Sequence, residues 1–140
     1  MGINLEAART AIRGTLEKGA EMGLKPLTVV VLDAGGHVIA AERQDGASPG
    51  RFAVAHGKAY GAVMLGMAGS AQMARAEAQA YFMSAINGLF GGQVVPVPGG
   101  VLIREGGAVI GAMGVTGDTS DNDAAAALAG LAAAGLDGEA

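Results

Sequence analysis

An α+β domain, an antiparallel sheet with helices packed over it, is the fold class this sequence predicts. Three observations carry that reading. Segments with helical and strand periodicity follow one another as helix, hairpin, two helices, hairpin, helix. The strands of each pair are joined by turns of a few residues, which leave no room for a crossover. A length of 140 residues is that of one domain, 1–140, rather than two.

The first helix covers residues 5–22. Asn4 is its N-cap, Leu5, Ala8, Ile12 and Leu16 recur on one face, and Gly23 followed by Pro26 ends it. Two β-branched runs, 27–32 and 37–43, flank the turn residues Asp33, Ala34, Gly35 and Gly36 and predict a hairpin. Ser48 as cap and Pro49 at the first helical position open a second helix to about residue 65, with Phe52, His56, Tyr60 and Val63 on a stripe facing the sheet or a pocket.

Ser70 is a further cap, and the helix formers of 71–87 predict a continuous third helix, antiparallel to the second and ending at Gly88. Residues 89–100 carry too much glycine and proline for a central strand and read as a loop. A second hairpin follows, 101–105 and 108–117 about the Gly106-Gly107 turn. Thr119, Ser120 and Asp121 then open a short alanine-rich helix to about residue 134, with acidic side chains at the favourable end of its dipole. The last half dozen residues are expected to fray.

Composition removes several functional classes. The chain has 25 glycines without a triplet period and only 4 prolines, which excludes collagen and a disordered linker and points to tight turns and close backbone approaches. With 51% hydrophobic but 4% aromatic residues, the core must be built from small side chains. A net charge of −4, with basic residues scattered, gives no footprint for nucleic acid. The absence of cysteine excludes disulfides, thiolate nucleophiles and cysteine metal sites. Glu6 and Arg9 interrupt the apolar run that a signal peptide needs, and no apolar 18-mer follows, so a cytoplasmic protein without a membrane segment is expected. Four strands leave sheet edges and surplus apolar surface, which predicts a homo-oligomer.

Among chemistry-bearing residues, His56 lies on the Phe52–Tyr60 stripe, where one ring nitrogen is placed to ligate a metal or haem iron; a satisfied, half-buried histidine is the plainer reading. His37 flanks a turn and reads as a surface residue. The two histidines lack the spacing and acidic partners of a zinc or non-haem iron site. Lys58 is almost alone as a cation between residues 53 and 74, suited to binding a carboxylate, to Schiff-base chemistry or to proton transfer, or else solvated.

Arg43, Asp45 and Arg51 bracket a strand-to-helix turn, where an arginine fork suits a carboxylate and a surface ion pair is the alternative. Gly99 and Gly100 offer backbone N–H groups to an oxyanion, with Arg104 as nearby counter-charge. The glycine-rich run 111–117 resembles a phosphate loop, but it lacks the GK[ST] ending and places Asp118, Asp121 and Asp123 where phosphate would sit. Met64, Met67, Met73 and Met83 read as core filling. Ser48, Ser70, Ser84 and Ser120 lie in no nucleophile elbow.

Taken together, VVVLDAGGHVIAAERQDGA, AVAHGKAYGAV and VPGGVLIREGGAVIGAMGVTGDTSDND resemble the GlcG/HbpS family, which includes the C-terminal domain of PduO-type proteins. The specific parts are Arg43, Asp45, Gly46 and Ala47, the Lys58-Ala59 pair, the Gly99-Gly100 loop, and Gly111 through Gly117 followed by Asp123. Val101 stands where the family's usual pattern has proline after the double glycine. The resemblance implies a profilin-like domain assembled into higher oligomers. It further implies haem binding or degradation, or a place beside pathways of small organic acids, corrinoids or aromatic breakdown.

Two functions are therefore expected to compete. In the first, an oligomer binds haem or a related tetrapyrrole between the second helix and the sheet, or at a subunit interface; His56 is the iron ligand, proposed from its chemistry and helical stripe, and Arg43 and Lys58 hold the carboxylates. In the second, a small cytoplasmic hydrolase or isomerase acts on an unsaturated oxo or imino acid. There Lys58 binds or protonates the substrate, Asp45 or His56 moves a proton, and Gly99 and Gly100 stabilise an oxyanion. An accessory subunit with a vestigial pocket is the third possibility.

Overall fold

A computed structural model describes residues 2–140. The chain runs α1 (Leu5–Glu21), β1 (Thr28–Asp33), β2 (Val38–Arg43), α2 (Arg51–Leu65), α3 (Gly69–Ala78), α4 (Ala80–Leu89), β3 (Gly100–Glu105), β4 (Ala108–Thr116), α5 (Ser120–Ala133) and β5 (Asp137–Glu139). All strand pairs are antiparallel, in the order β2-β1-β4-β3-β5. The expected α+β architecture is present.

Alternation along the strands divides the core into two layers. Val29, Val31, Val101, Ile103, Met113 and Val115 point to α1 and α5. Val30, Leu32, Leu102 and Ala112 point to the opposite face, where Ala55, Ala59 and Ala62 of α2 cover them. Aromatic-free surfaces let the helices come very close. A Cβ on Gly130 of α5 would stand 2.5 Å from the Ala11 carbonyl oxygen of α1. Gly100 and Gly114, which face one another across β3 and β4, would meet the backbone of α2 itself at Lys58 and Ala55.

Asn4 and Thr119 cap α1 and α5 as expected, each accepting a backbone N–H. The other two expected caps are replaced: α2 begins after Gly50 and α3 after Ala68, neither with a side-chain cap. The single helix expected over 71–87 is two helices. At Gln79 the backbone leaves the helical region (φ −141°, ψ 68°), and Arg75 stabilises the break by donating to Gln79 Oε1 while lying 4.0 Å over the Phe82 ring. Tertiary contacts override helix propensity there. α3 is pressed by Gly69 onto Val97 and Pro98, whereas α4 packs on α3 alone among the elements.

The expectation of a frayed terminus is also corrected. Residues 137–139 form a fifth strand on β3, Leu102 opposite Glu139 and Arg104 opposite Asp137, closed by an Arg104–Glu139 ion pair at 2.8 Å. Local polarity hid this strand. It is held by Gly138, where Leu128, Leu131 and Val101 fill the space of a Cβ. Charged β5 also protects an otherwise open sheet edge.

Glycine substitutions separate packing from propensity. Gly114→Ala should cost at least ~3 kcal/mol or prevent folding, because neither backbone can yield. Gly88→Ala, in α4 with open space around it, should add ~0.5–1 kcal/mol. Urea unfolding of both variants checks the contrast; equal effects would remove the backbone-contact account.

Candidate functional site

Lys58 follows from the way α2 lies on the sheet. With Ala55, Ala59 and Ala62 facing the strands, position 58 emerges at the flank of the helix, beside Gly99 and Gly100. Its ammonium donates to the Val115 carbonyl at 2.9 Å and to Asp123 Oδ2 at 3.1 Å. Only 3% of the lysine and 1% of the aspartate side chain are exposed. Burial pulls the Lys58 pKa below its ordinary value, the Asp123 charge and hydrogen bond oppose that, and the charge of Arg51 adds to the lowering.

Asp123 Oδ1 accepts the Asp118 backbone N–H at 3.0 Å, so both carboxylate oxygens are occupied. The pair joins α2, on one face of the sheet, to the first turn of α5 on the other. Lys58 is thus a buried strut with its donors directed inward.

Gly99 and Gly100, expected to cradle an oxyanion, pack against Lys58. A Cβ on Gly99 would stand 2.8 Å from Lys58 Nζ, and one on Gly100 would meet the Lys58 carbonyl. Arg104 is corrected as their counter-charge. It sits four residues along β3, about 13 Å at strand rise, and spends its guanidinium on Glu139 and the Gly107 carbonyl.

His56 lies on the exposed flank of α2, in a groove of about 560 Å³ lined by Val38, Phe52, His56, Gln93 and Val95. Its imidazole is stacked on Tyr60 (centroids 5.5 Å, 20°) and tilted to Phe52 at 6.0 Å, and Tyr60 meets the edge of Phe90. Partial burial lowers its pKa, favouring the neutral ring. The groove exists because β2 presents Val38 while α2 covers only the strands beyond it. It offers an apolar slot with one imidazole.

Arg43 and Asp45 are exposed at the end of β2, beside a cleft of about 570 Å³ that also takes in Lys25 and Pro26. Arg43 donates to the Ala47 carbonyl at 2.7 Å and Arg51 to Thr116 Oγ1 at 2.8 Å. Neither arginine forms the ion pair with Asp45 that their spacing allowed. His37 is exposed and bonded to Asp33, as a turn residue. Asp118 holds the loop before α5: hydrogen bonds from Asn122 and the Lys25 and Thr119 backbones bring its carboxyl down to about 2.

Three residues of this region were not singled out for these roles by the sequence reading: Asp123 as the partner of Lys58, Thr116 as the acceptor for Arg51, and Thr28, whose buried hydroxyl has no hydrogen-bond partner among the described residues. A lysine alone in an apolar stretch was the available signal for the first, because such a charge needs a buried counter-charge. Nothing in spacing foretells the other two.

Among the described residues, no helix is long and apolar enough to cross a membrane. The sequence matches the family described as haem degrading protein HbpS-like over residues 3–132. No curated protein matches it. Among solved structures, it is similar to a double mutant of HbpS from Streptomyces reticuli, with 31% identity, 94% of this chain and 86% of that one covered, and a TM-score of 0.81. It shares the fold of a PduOC–haem complex at 22% identity, covering 98% of each chain with a TM-score of 0.87. It also shares the fold of the Klebsiella pneumoniae protein ORFY at 24% identity, covering 95% and 90%, with a TM-score of 0.83.

The strut has a thermodynamic signature. Asp123→Leu, which strands a buried ammonium, should cost ~3–5 kcal/mol. Lys58→Met combined with Asp123→Leu should cost less than the sum of the single changes, because no unpaired charge then remains. A double-mutant cycle by denaturant unfolding checks this; additive costs would show that the two side chains do not interact.

Proposed function

The chain belongs to the HbpS-like family, and from that premise we propose that it binds haem or a closely related tetrapyrrole in the groove between α2 and β2, with His56 as the iron ligand. The carrying observation is the groove itself: its apolar walls suit a flat macrocycle, and its imidazole is kept neutral by partial burial. Phe52 and Tyr60 orient the ring by stacking, leaving coordination as its polar role. Bound haem would supply a redox-active iron; the chain's own residues hold the macrocycle and keep its faces dry.

The enzymatic alternative required a free ammonium at Lys58, and that ammonium is engaged by Asp123 and Val115. The same proposal takes the chain as a cytoplasmic homo-oligomer. β2 leaves one edge of the sheet unpaired beside Val38 and Phe52, 49% and 44% exposed. Sedimentation velocity should show a species larger than a monomer; a monomer at all concentrations would remove the assembly.

Titrating haemin should give a saturable, stoichiometric Soret shift. His56→Ala should abolish the shift of the ligated form and weaken binding at least ~10-fold, or ~1.4 kcal/mol. An unchanged spectrum would remove His56 as ligand. Because the His56 pKa lies below 6.5, ligation should persist as pH falls past 6.5 and fail only at the lowered value. The unfolded chain takes up the proton first, so His56's contribution to stability is full above 6.5 and declines as pH falls through the lowered folded value.

A further inference from the structure

The start of α2, one residue before Phe52 of the apolar groove, is polar, and Arg43 beside it lines the separate cleft with Lys25, Pro26 and Asp45. β1 and β2 run in register with Thr28 opposite Arg43, and β1 and β4 with Thr28 opposite Thr116. Alternation from Val29, which faces α1 and α5, turns all three toward the α2 side. There the helix begins: Arg51 is its first residue, no side chain caps its first turn, and no acidic residue stands in it. Phe52 and His56 follow directly along the helix, while Val38 lies at the other end of β2.

Two arginines stand at this end, and Asp45, which lines the same cleft as Arg43, is paired with neither. Neither Arg43 nor Arg51 has a carboxylate at ion-pairing distance among the described residues; each guanidinium has one recorded hydrogen bond, to a neutral acceptor. Asp123, the nearby buried carboxylate, is committed to Lys58 and the Asp118 N–H. An arginine at a helix start opposes the dipole, which favours anions there. Between the two arginine positions lies Thr28, wholly buried, its hydroxyl without a partner among the described residues. An unpartnered buried hydroxyl is costly, and a ligand acceptor would relieve it.

We propose that Arg43, Arg51, the Thr28 hydroxyl and the open first turn of α2 form a carboxylate subsite, so that the groove takes a flat apolar ligand through its acid group. The assignment deepens the groove reading and rests on it. Arg51 exchanges Thr116 for a charged acceptor, and Arg43 exchanges the Ala47 carbonyl. Lys58 takes no part, in contrast to the sequence expectation that paired it with Arg43.

Metal-free protoporphyrin IX and its dimethyl ester test the subsite without iron ligation, by fluorescence titration of the full chain. The diacid should bind at least ~10-fold more tightly than the diester, the advantage of a charge-assisted bond. Arg51→Gln and Thr28→Val should each bring the diacid toward the diester while leaving the diester's affinity unchanged. Thr28→Val keeps the strand's shape and serves if Arg51→Gln disturbs the helix start. Equal binding of diacid and diester by the wild type, equal losses for both in the variants, or no binding of either would overturn the subsite. A diacid preference lost in the variants, with no His56-dependent Soret shift for haemin, would overturn iron ligation and uphold the subsite.

Discussion

The rest of the structure depends on the contact between the backbone of α2 and the glycine pair Gly100–Gly114. Antiparallel β3 and β4 place these residues opposite one another, and the absence of two Cβ atoms lets the helix rest on the sheet's main chain. From that seat Ala55, Ala59 and Ala62 close the second core layer, and Lys58 falls beside the Val115 carbonyl. Displacement of α2 by a methyl radius would part the ammonium from Asp123 and widen the groove. Small-residue composition is therefore the means by which a core poor in aromatic side chains reaches close packing.

Lys58 and Asp123 carry that positioning across the sheet. Burying two charges is expensive, and the gain is specificity of arrangement more than net stability. With Asp123 also holding the loop at Asp118, the end of β4, the start of α5 and the flank of α2 share one set of hydrogen bonds. Arg51 and Arg43 instead bond to Thr116 and to the Ala47 carbonyl, a division of labour that residue type alone does not reveal. These three cations look equivalent in sequence and differ in the fold because Lys58 is sealed under Gly99, whereas Arg43 is exposed and Arg51 half-buried.

Element order, both hairpins and the caps Asn4 and Thr119 were readable from sequence because turn chemistry, periodicity and capping are local. The break at Gln79 was not, since no glycine or proline marks it. β5 escaped because a three-residue polar strand acquires its identity only from β3 beside it. At the site, the Phe52–His56–Tyr60 stripe was visible from helical spacing, and the structure places it on the outer flank of α2 beside the groove. Arg104 was misplaced because four strand residues carry a side chain far from its sequence neighbours. Partners distant in sequence, 57 and 65 residues apart for Lys58, lie outside any reading of spacing.

The seam at Gln79 has a kinetic meaning. Because α4 leans on α3 alone and leaves Tyr81 and Leu89 largely in water, this helical pair is the portion of the molecule with least to lose on detaching. Such a unit opens by sub-global fluctuation while the sheet stays intact. Its descending arm runs straight into Gln93 and Val95, one wall of the groove. One wall of the groove thus follows directly on the most sparsely packed helix of the chain, while the other is the glycine-seated α2.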